Sequence, residues 1–261
     1  PDQVLGWFLT HDCQISEVHV HNMKLQSDER NEKIEAQLEA EHKPLGVVAV
    51  APGSGTAKIL ESLGVDVVIS GGQTMNPSTA DILAAVNKVN ADSVVILPNN
   101  KNIIMAAQAC VEVSEKPCSV VATTSVPQAF SAMFGFDGEA SLEENVEAMT
   151  EAFAEVKTGE VTHAIKDSKD AHGNPIKDGD VIGIADGSIE AVGSDVSDVV
   201  LALLETMEAD DADTMTILAG EDFSDEDLEA LVARIEEAYE DLEIDPHRGE
   251  QALYPVVFSL E

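Results

Sequence analysis

Aromatic residues are scarce in this sequence, at 4 % of 261 residues, so any core must be built from Val, Ile, Leu and Ala. Basic residues are scarce as well: 14 Lys and Arg stand against 50 Asp and Glu, a formal net charge of −36. Charge of that sign repels phosphate backbones and anionic headgroups, which argues against nucleic acid and non-specific membrane binding. No apolar run approaches the roughly 20 residues that span a bilayer. The start at Pro1 shows neither a basic n-region nor an apolar h-region, so no signal peptide is expected, and the missing Met fits a piece of a longer protein. Cysteine is limited to Cys13, Cys110 and Cys118, with no CxxC pair. That excludes a disulfide framework and fits a reducing cytoplasm. There is no GxSxG elbow, no HExxH and no complete dinucleotide fingerprint, so nucleophilic or metal hydrolysis has no positive support.

What is present is a core-forming composition, 44 % hydrophobic, with charge distributed very unevenly. Residues 44–138 hold 7 acids and 4 bases, whereas residues 179–261 hold 24 acids and only Arg234 and Arg248 as bases. The first stretch is nearly neutral and the second carries −22, which suggests two domains with different surfaces. The acidity reads either as solubility, including in a salt-rich setting, or as a surface matched to a basic partner.

The chain divides into a tail and linker over 1–43, a first domain over 44–138 and an acidic second domain over 139–261. In the first domain, apolar runs at Val47–Val50, Val65–Ile69, Ser93–Leu97 and Ser119–Ala122 alternate with helix-compatible stretches. That pattern predicts βαβ units and a parallel sheet covered on both faces. The second domain mixes helices at Leu142–Val156, Val196–Met207 and Ser224–Tyr239 with turn-bounded strands, the last at Leu253–Leu260. It predicts an α+β layer with antiparallel pairing.

Two loops stand out. Gly71–Thr79 follows a strand and precedes a helix, and packs Gln73, Thr74, Asn76, Ser78 and Thr79 behind Gly71 and Gly72. Asn99, Asn100, Lys101 and Asn102 follow the next strand. In open parallel sheets ligands bind at the carboxyl ends of strands, and a lysine beside a helix N-terminus can hold an anion. The competing reading is a pair of polar βα-loops that cap helices. Gly53–Lys58 lacks the GxxxxGK pattern of a Walker loop and reads as a tight βα-turn, the alternative being a cradle for a phosphate. Thr123–Gln128 is a hydroxyl-rich loop after the fourth strand. His11, Cys13, His19 and His21 place three imidazoles and a thiol within 11 residues, which reads either as a metal set or as exposed histidines on an edge strand, and no metal site is assigned.

Gly71–Thr79 followed by Leu97–Ala107, with Thr124–Gln128, Glu139–Asn145 and Gly220–Asp222, closely resembles the kinase subunit of bacterial fatty acid kinase, a dihydroxyacetone-kinase-like family. The resemblance covers roughly residues 44–261. It implies an α/β, two-domain DegV-like architecture: a parallel α/β sheet domain followed by an α+β domain. It also implies a non-ATP-binding part that docks a DegV-like fatty-acid-binding subunit, so that the fatty acid carboxylate is phosphorylated to acyl phosphate. ATP and Mg²⁺ are expected on an N-terminal domain outside this chain, with no cofactor here, and a homodimer is expected. Ligand or partner binding would fall on Gly72, Gln73, Thr74, Asn76, Ser78, Thr79, Asn99, Asn100, Lys101 and Asn102. The family's His-x-His would lie upstream, because Pro1-Asp2 resembles the turn that follows it. The alternatives are a DegV-like lipid-binding module and a stand-alone dihydroxyacetone-type kinase fragment. They differ in needing a deep apolar tunnel and an ATP site, respectively.

Overall fold

The computed structural model describes residues 42–71, 76–170 and 173–261. The tail expected before residue 42, with His11, Cys13, His19 and His21, lies outside the described residues, as do Gly72, Gln73 and Thr74. Residues 43–261 form one compact unit.

The first sheet contains β1 (Lys43–Ala51), β2 (Val67–Ser70), β3 (Ala91–Leu97) and β4 (Cys118–Val120), in the order β2-β1-β3-β4 and parallel throughout. Helices α1 (Ser54–Ser62), α2 (Thr79–Lys88), α3 (Lys101–Val113), α4 (Val126–Phe134) and α5 (Leu142–Ala152) cover it. Alternation along the strands sorts the core. Leu45, Val47, Ala49, Val95 and Leu97 pack with Leu60 of α1, Phe130 of α4 and Met149 of α5. Val48, Val50, Val94 and Ile96 pack on the other face with Ile82 and Val86 of α2 and Ile103 and Ala107 of α3. Helices on both faces explain why these strands read as unbroken apolar runs. Cys110 and Cys118 are free thiols within the second of these clusters. Burial, and then the neighbouring Cys118, push the Cys110 thiol up to about 11, which leaves it unreactive.

The second sheet contains β5 (Lys157–His163), β8 (Val181–Ala185), β9 (Ser188–Gly193), β10 (Thr214–Ala219), β11 (Glu243–Arg248) and β12 (Val256–Leu260), in the order β11-β10-β12-β5-β8-β9. Only the β10–β11 pair is parallel, and the rest are antiparallel. A small hairpin, β6 (Ser168–Lys169) with β7 (Pro175–Ile176), stands apart. One face of the second sheet packs on α6 (Val196–Thr206) and α7 (Asp225–Ala238) through Val199, Leu203, Leu231 and Ile235. The opposite face sends Leu218 into the core beneath the first sheet. It also carries Ile182 and Ile184, which meet Ile176 of the hairpin. Among the described residues no helix is long and apolar enough to cross a membrane.

Two details correct the sequence expectation. Strand β12 begins at Val256, not Leu253, because Leu253 adopts a left-handed backbone (φ 69) that no strand accommodates. Strand β11 is charged and contains Pro246, so it carries no apolar signal. It is tolerated because it is the sheet's margin.

Gly159 lies directly across from Phe258 in the β5–β12 pair, and a Cβ there would come within 2.2 Å of the buried ring. Gly159→Ala should therefore cost about 1–3 kcal/mol through overpacking. A lower urea midpoint at constant m-value would show it. In the Phe258→Leu background the same change should cost clearly less, measured as non-additivity in the double-mutant cycle.

Candidate functional site

The parallel strands of the first sheet deliver their carboxyl ends to one edge, where open α/β sheets form their crevices. Pro52 and Gly53 follow β1, Ser70 and Gly71 end β2, Asn99 and Asn100 follow β3, and Ser125 precedes α4. Together they wall a hollow of about 200 Å³. Its far wall is Glu160 of β5, Leu218 of β10, Val257 of β12 and the loop 251–254.

Most of the described polar residues on this edge have defined partners. Asn99 is buried with φ 57, and its Nδ2 donates to the Val50 carbonyl at 2.8 Å. Its Oδ1 accepts from Thr123 Oγ1 at 2.6 Å, and that same hydroxyl accepts from the Asn99 amide. Asn99 thus staples β3 to β1 and to the segment after β4. Asn100 caps α3 by accepting from the Asn102 amide. Lys101 is exposed, and its Nζ donates to the Asp186 carbonyl at 3.0 Å in the β8–β9 turn, linking the two sheets. Ser78 caps α2 in a reciprocal box with Asp81. Thr79 Oγ1 donates to the Ala106 carbonyl, which holds the start of α2 against α3. Asn76 and Asn102 are exposed, and only Asn102 of the two lines one of the hollows described here. The Thr124 amide and hydroxyl both donate to Gln128 Oε1 in the first turn of α4, and Ser125 Oγ pairs with Thr158 Oγ1 of β5 at 2.9 Å.

The turn at Gly53–Thr56 is closed from above. A Cβ on Gly55 would fall 1.8 Å from the Arg248 carbonyl, and one on Gly53, at φ 78, would fall 2.3 Å from the Gly249 carbonyl. The Thr56 amide donates to the Gly249 carbonyl at 3.1 Å, and Ser54 Oγ donates to the Glu250 carboxylate. The N-terminus of α1, where an anion would ordinarily sit, already holds one of the chain's own carboxylates. Among the described residues, the lining of this hollow contains Glu160 and no Lys, Arg or His. A free carboxylate would meet repulsion there. Its volume is also below the roughly 300–1,000 Å³ usual for small-molecule pockets.

The loop that closes the turn carries no signal in apolar periodicity. Glu250 (φ 54) and Leu253 (φ 69) are both left-handed. The loop is pinned by Gln251 Nε2, which donates to the Leu218 and Tyr254 carbonyls, and by Thr162 Oγ1, which donates to the Leu253 carbonyl at 2.6 Å. Burial, and secondarily the Glu160 carboxylate, push the Tyr254 phenol up to about 12. Two further hollows adjoin this one. An apolar one of about 550 Å³ shares Gln251, Leu253 and Tyr254. A polar one of about 320 Å³, lined by Lys101, Asn102 and Asp186, shares Asn100, Ser125 and Glu160.

The family of FakA-like fatty acid kinase C-terminal regions matches residues 46–261. This chain belongs to that family. It is 38 % identical over 265 residues to protein YloV of Bacillus subtilis, covering 100 % of this chain and 48 % of the relative. It is 37 % identical over 254 residues to an uncharacterized Staphylococcus haemolyticus protein, SH1689, covering 95 % and 46 %. The chain thus spans about half the length of the curated relatives it matches. Among solved structures it is similar to the DegV family protein Cg2579 of Corynebacterium glutamicum, with TM-score 0.60 and 16 % identity over 84 % of this chain and 96 % of that one. It is also similar to TM841 of Thermotoga maritima, described as having fatty acid binding function (0.57, 14 %, covering 84 % and 99 %). A third is the Streptococcus pneumoniae fatty acid kinase B3 protein loaded with linoleic acid (0.53, 14 %, covering 83 % and 99 %). At these identities the likeness is one of fold: the α/β, DegV-like architecture expected of the sequence.

Two outcomes follow from the site's geometry. Asn99→Ala should lower stability by about 1–3 kcal/mol, since it strands the Val50 carbonyl and Thr123 hydroxyl in the interior. Asn100→Ala removes only a cap, and about 1 kcal/mol is expected; denaturant melts of both variants provide the comparison. The raised Tyr254 pKa works in the opposite direction from a carboxylate's. The folded state prefers the neutral phenol, so the contribution is intact below the unfolded pKa of about 10 and is lost as pH rises toward 12. Tyr254→Phe should flatten the loss of stability across that window in melts collected at stepped pH.

Proposed function

We propose that this chain is the C-terminal, non-ATP-binding part of a cytoplasmic fatty acid kinase subunit. Its role is to dock a DegV-like fatty-acid-binding partner so that the bound fatty acid's carboxylate is phosphorylated to acyl phosphate. The observation that carries the reading is the family match across residues 46–261, on a chain half as long as its relatives. ATP and Mg²⁺ are assigned to the part of the longer protein that this chain lacks.

The geometry favours docking over phosphate handling by this chain itself. The α1 N-terminus is filled by Gly249 and Glu250, and the Gly53–Thr56 turn is too tightly covered to admit a phosphate. Lys101, the cation of the Asn99–Asn102 loop, is directed to the Asp186 carbonyl. What remains for chemistry is positioning. Holding a loaded partner at a fixed place turns an encounter between two reactants into a step within one complex, which by itself lowers the barrier. The strongly acidic stretch over 179–261 suits a partner with a basic face and speeds encounter at low salt.

Calorimetry with this chain and the oleate-loaded DegV-fold subunit of the same organism tests the proposal. We expect one-to-one association at roughly micromolar Kd, about −8 kcal/mol. It should weaken as salt is raised through and beyond physiological strength. Mg·ATP titrated into the chain alone should give no binding heat. A micromolar Mg·ATP affinity, or no association with the loaded subunit, would overturn the reading.

A further inference from the structure

Helix α3 carries its charges in an unusual order. Helix α2 has Asp81 in its first turn and Lys88 in its last, and α5, α6 and α7 each open with acids. Those are the ends that the helix dipole favours for each sign. Helix α3 is the only described helix that opens on a base: Lys101 is its first residue and Glu112 its last but one. Both charges stand at the end that the helix's own dipole disfavours.

The two residues belong to one stripe. Lys101, Met105, Gln108 and Glu112 follow one another at helical spacing and are all exposed. They lie opposite Ile103, Ala107 and Cys110, which face the core. At the middle of the stripe Met105 is 79 % exposed. Ala106 and Ala109, half-buried beside it, are short enough to let another helix approach closely.

The acidity of the chain is missing from this region. Residues 79–113 hold Asp81, Asp92 and Glu112 against Lys88 and Lys101, a net charge of −1 out of −36. An ordinary solvated helix of this protein looks different: α5 turns Glu143, Glu147 and Glu151 to water. Salt screens charges beyond about 8 Å at physiological strength, so a body meeting the outer face of α3 feels its local neutrality rather than the distant acids.

We propose that the outer face of α3 binds a second copy of this chain, with the two α3 helices antiparallel across a two-fold axis. The stripe is its own complement. With the axis between Ala106 and Ala107, Lys101 of each copy meets Glu112 of the other, and Met105 of each meets Gln108 of the other, so a single register makes both pairs twice. The Asp186 carbonyl takes one of the three Lys101 ammonium protons, and the others are left for Glu112. Each Met105 leaves water for the centre of the contact, and that burial drives association. The self-match selects a second copy over another occupant, since a partner of one sign would suit only one end of the stripe. None of the three hollows is lined by Met105 or Gln108, so a small molecule has no pocket to enter there. The contact is independent of the docking role proposed above.

Sedimentation equilibrium of the 261-residue chain tests the pairing. A monomer–dimer equilibrium with Kd on the order of 10 µM is expected for a small contact. Met105→Asp should weaken it about tenfold or more, as loss of a central anchor does. Glu112→Lys should also weaken it about tenfold, because it sets lysine against lysine at both ends of the stripe. Melted at a concentration where the chain is monomeric, Glu112→Lys should keep or raise the melting temperature, since a cation in the last turn suits the helix. That variant therefore separates lost pairing from lost folding. Lys101→Glu combined with Glu112→Lys should restore the dimer. Ile165→Asp, at an exposed position beside the second sheet, should leave it unchanged.

A chain that stays monomeric at about 100 µM, well above that Kd, would overturn the proposal. So would a dimer that Met105→Asp and Glu112→Lys leave intact, which places the contact elsewhere, or a Glu112→Lys defect that the charge swap fails to repair. A monomeric chain that loses its association with the oleate-loaded DegV-fold subunit in Met105→Asp would give this face to that protein, overturning the pairing while the docking function stands.

Discussion

The backbone of Arg248–Gln251 lies directly on the turn at Gly53 and Gly55, and the meeting of the two sheets depends on that closeness. A methyl group at Gly55 would need space already taken by the Arg248 carbonyl. The contact supplies the Thr56 amide with an acceptor, so one of the four unpaired donors at the start of α1 is satisfied by the other sheet. From there the join spreads through Ser125–Thr158, Lys101–Asp186 and the apolar insertion of Leu218 under the first sheet. Hydroxyl pairs and backbone contacts require defined geometry, so the sheets are held in register as well as held together.

Much of this architecture is legible in the sequence where one physical cause dominates. Val47–Val50 and Ser93–Leu97 are unbroken apolar runs because helices cover both faces of their sheet. Ser78, Asn100 and Ser224 stand where helix caps are expected, and they cap. The polar wealth of the Asn99–Asn102 loop is also visible, but not how it is used. Asn99 is consumed by interior hydrogen bonds and Lys101 by a carbonyl contributed from 85 residues away. Such long-range partners leave no trace in local pattern.

Less is legible in the second half, for equally specific reasons. Charged β11 takes its place from pairing with β10 rather than from its own side chains. Leu253 resembles the first residue of a strand, and only the bonds from Thr162 and within the 251–254 loop reveal a left-handed turn. The apolar hollow is assembled from separate segments, each of which reads alone as a half-buried strand or an ordinary loop.

The margin formed by β11 has a further consequence. An unpaired strand edge invites another strand, and a sheet that accepts one neighbour can accept many. Here the outermost strand carries Glu243 and Asp245, and Pro246 has no N–H to offer. Growth of the sheet in that direction is self-limiting. A strand added there would meet those two carboxylates and a proline without an N–H, so the β11 edge is a poor template for extending the sheet beyond its six strands.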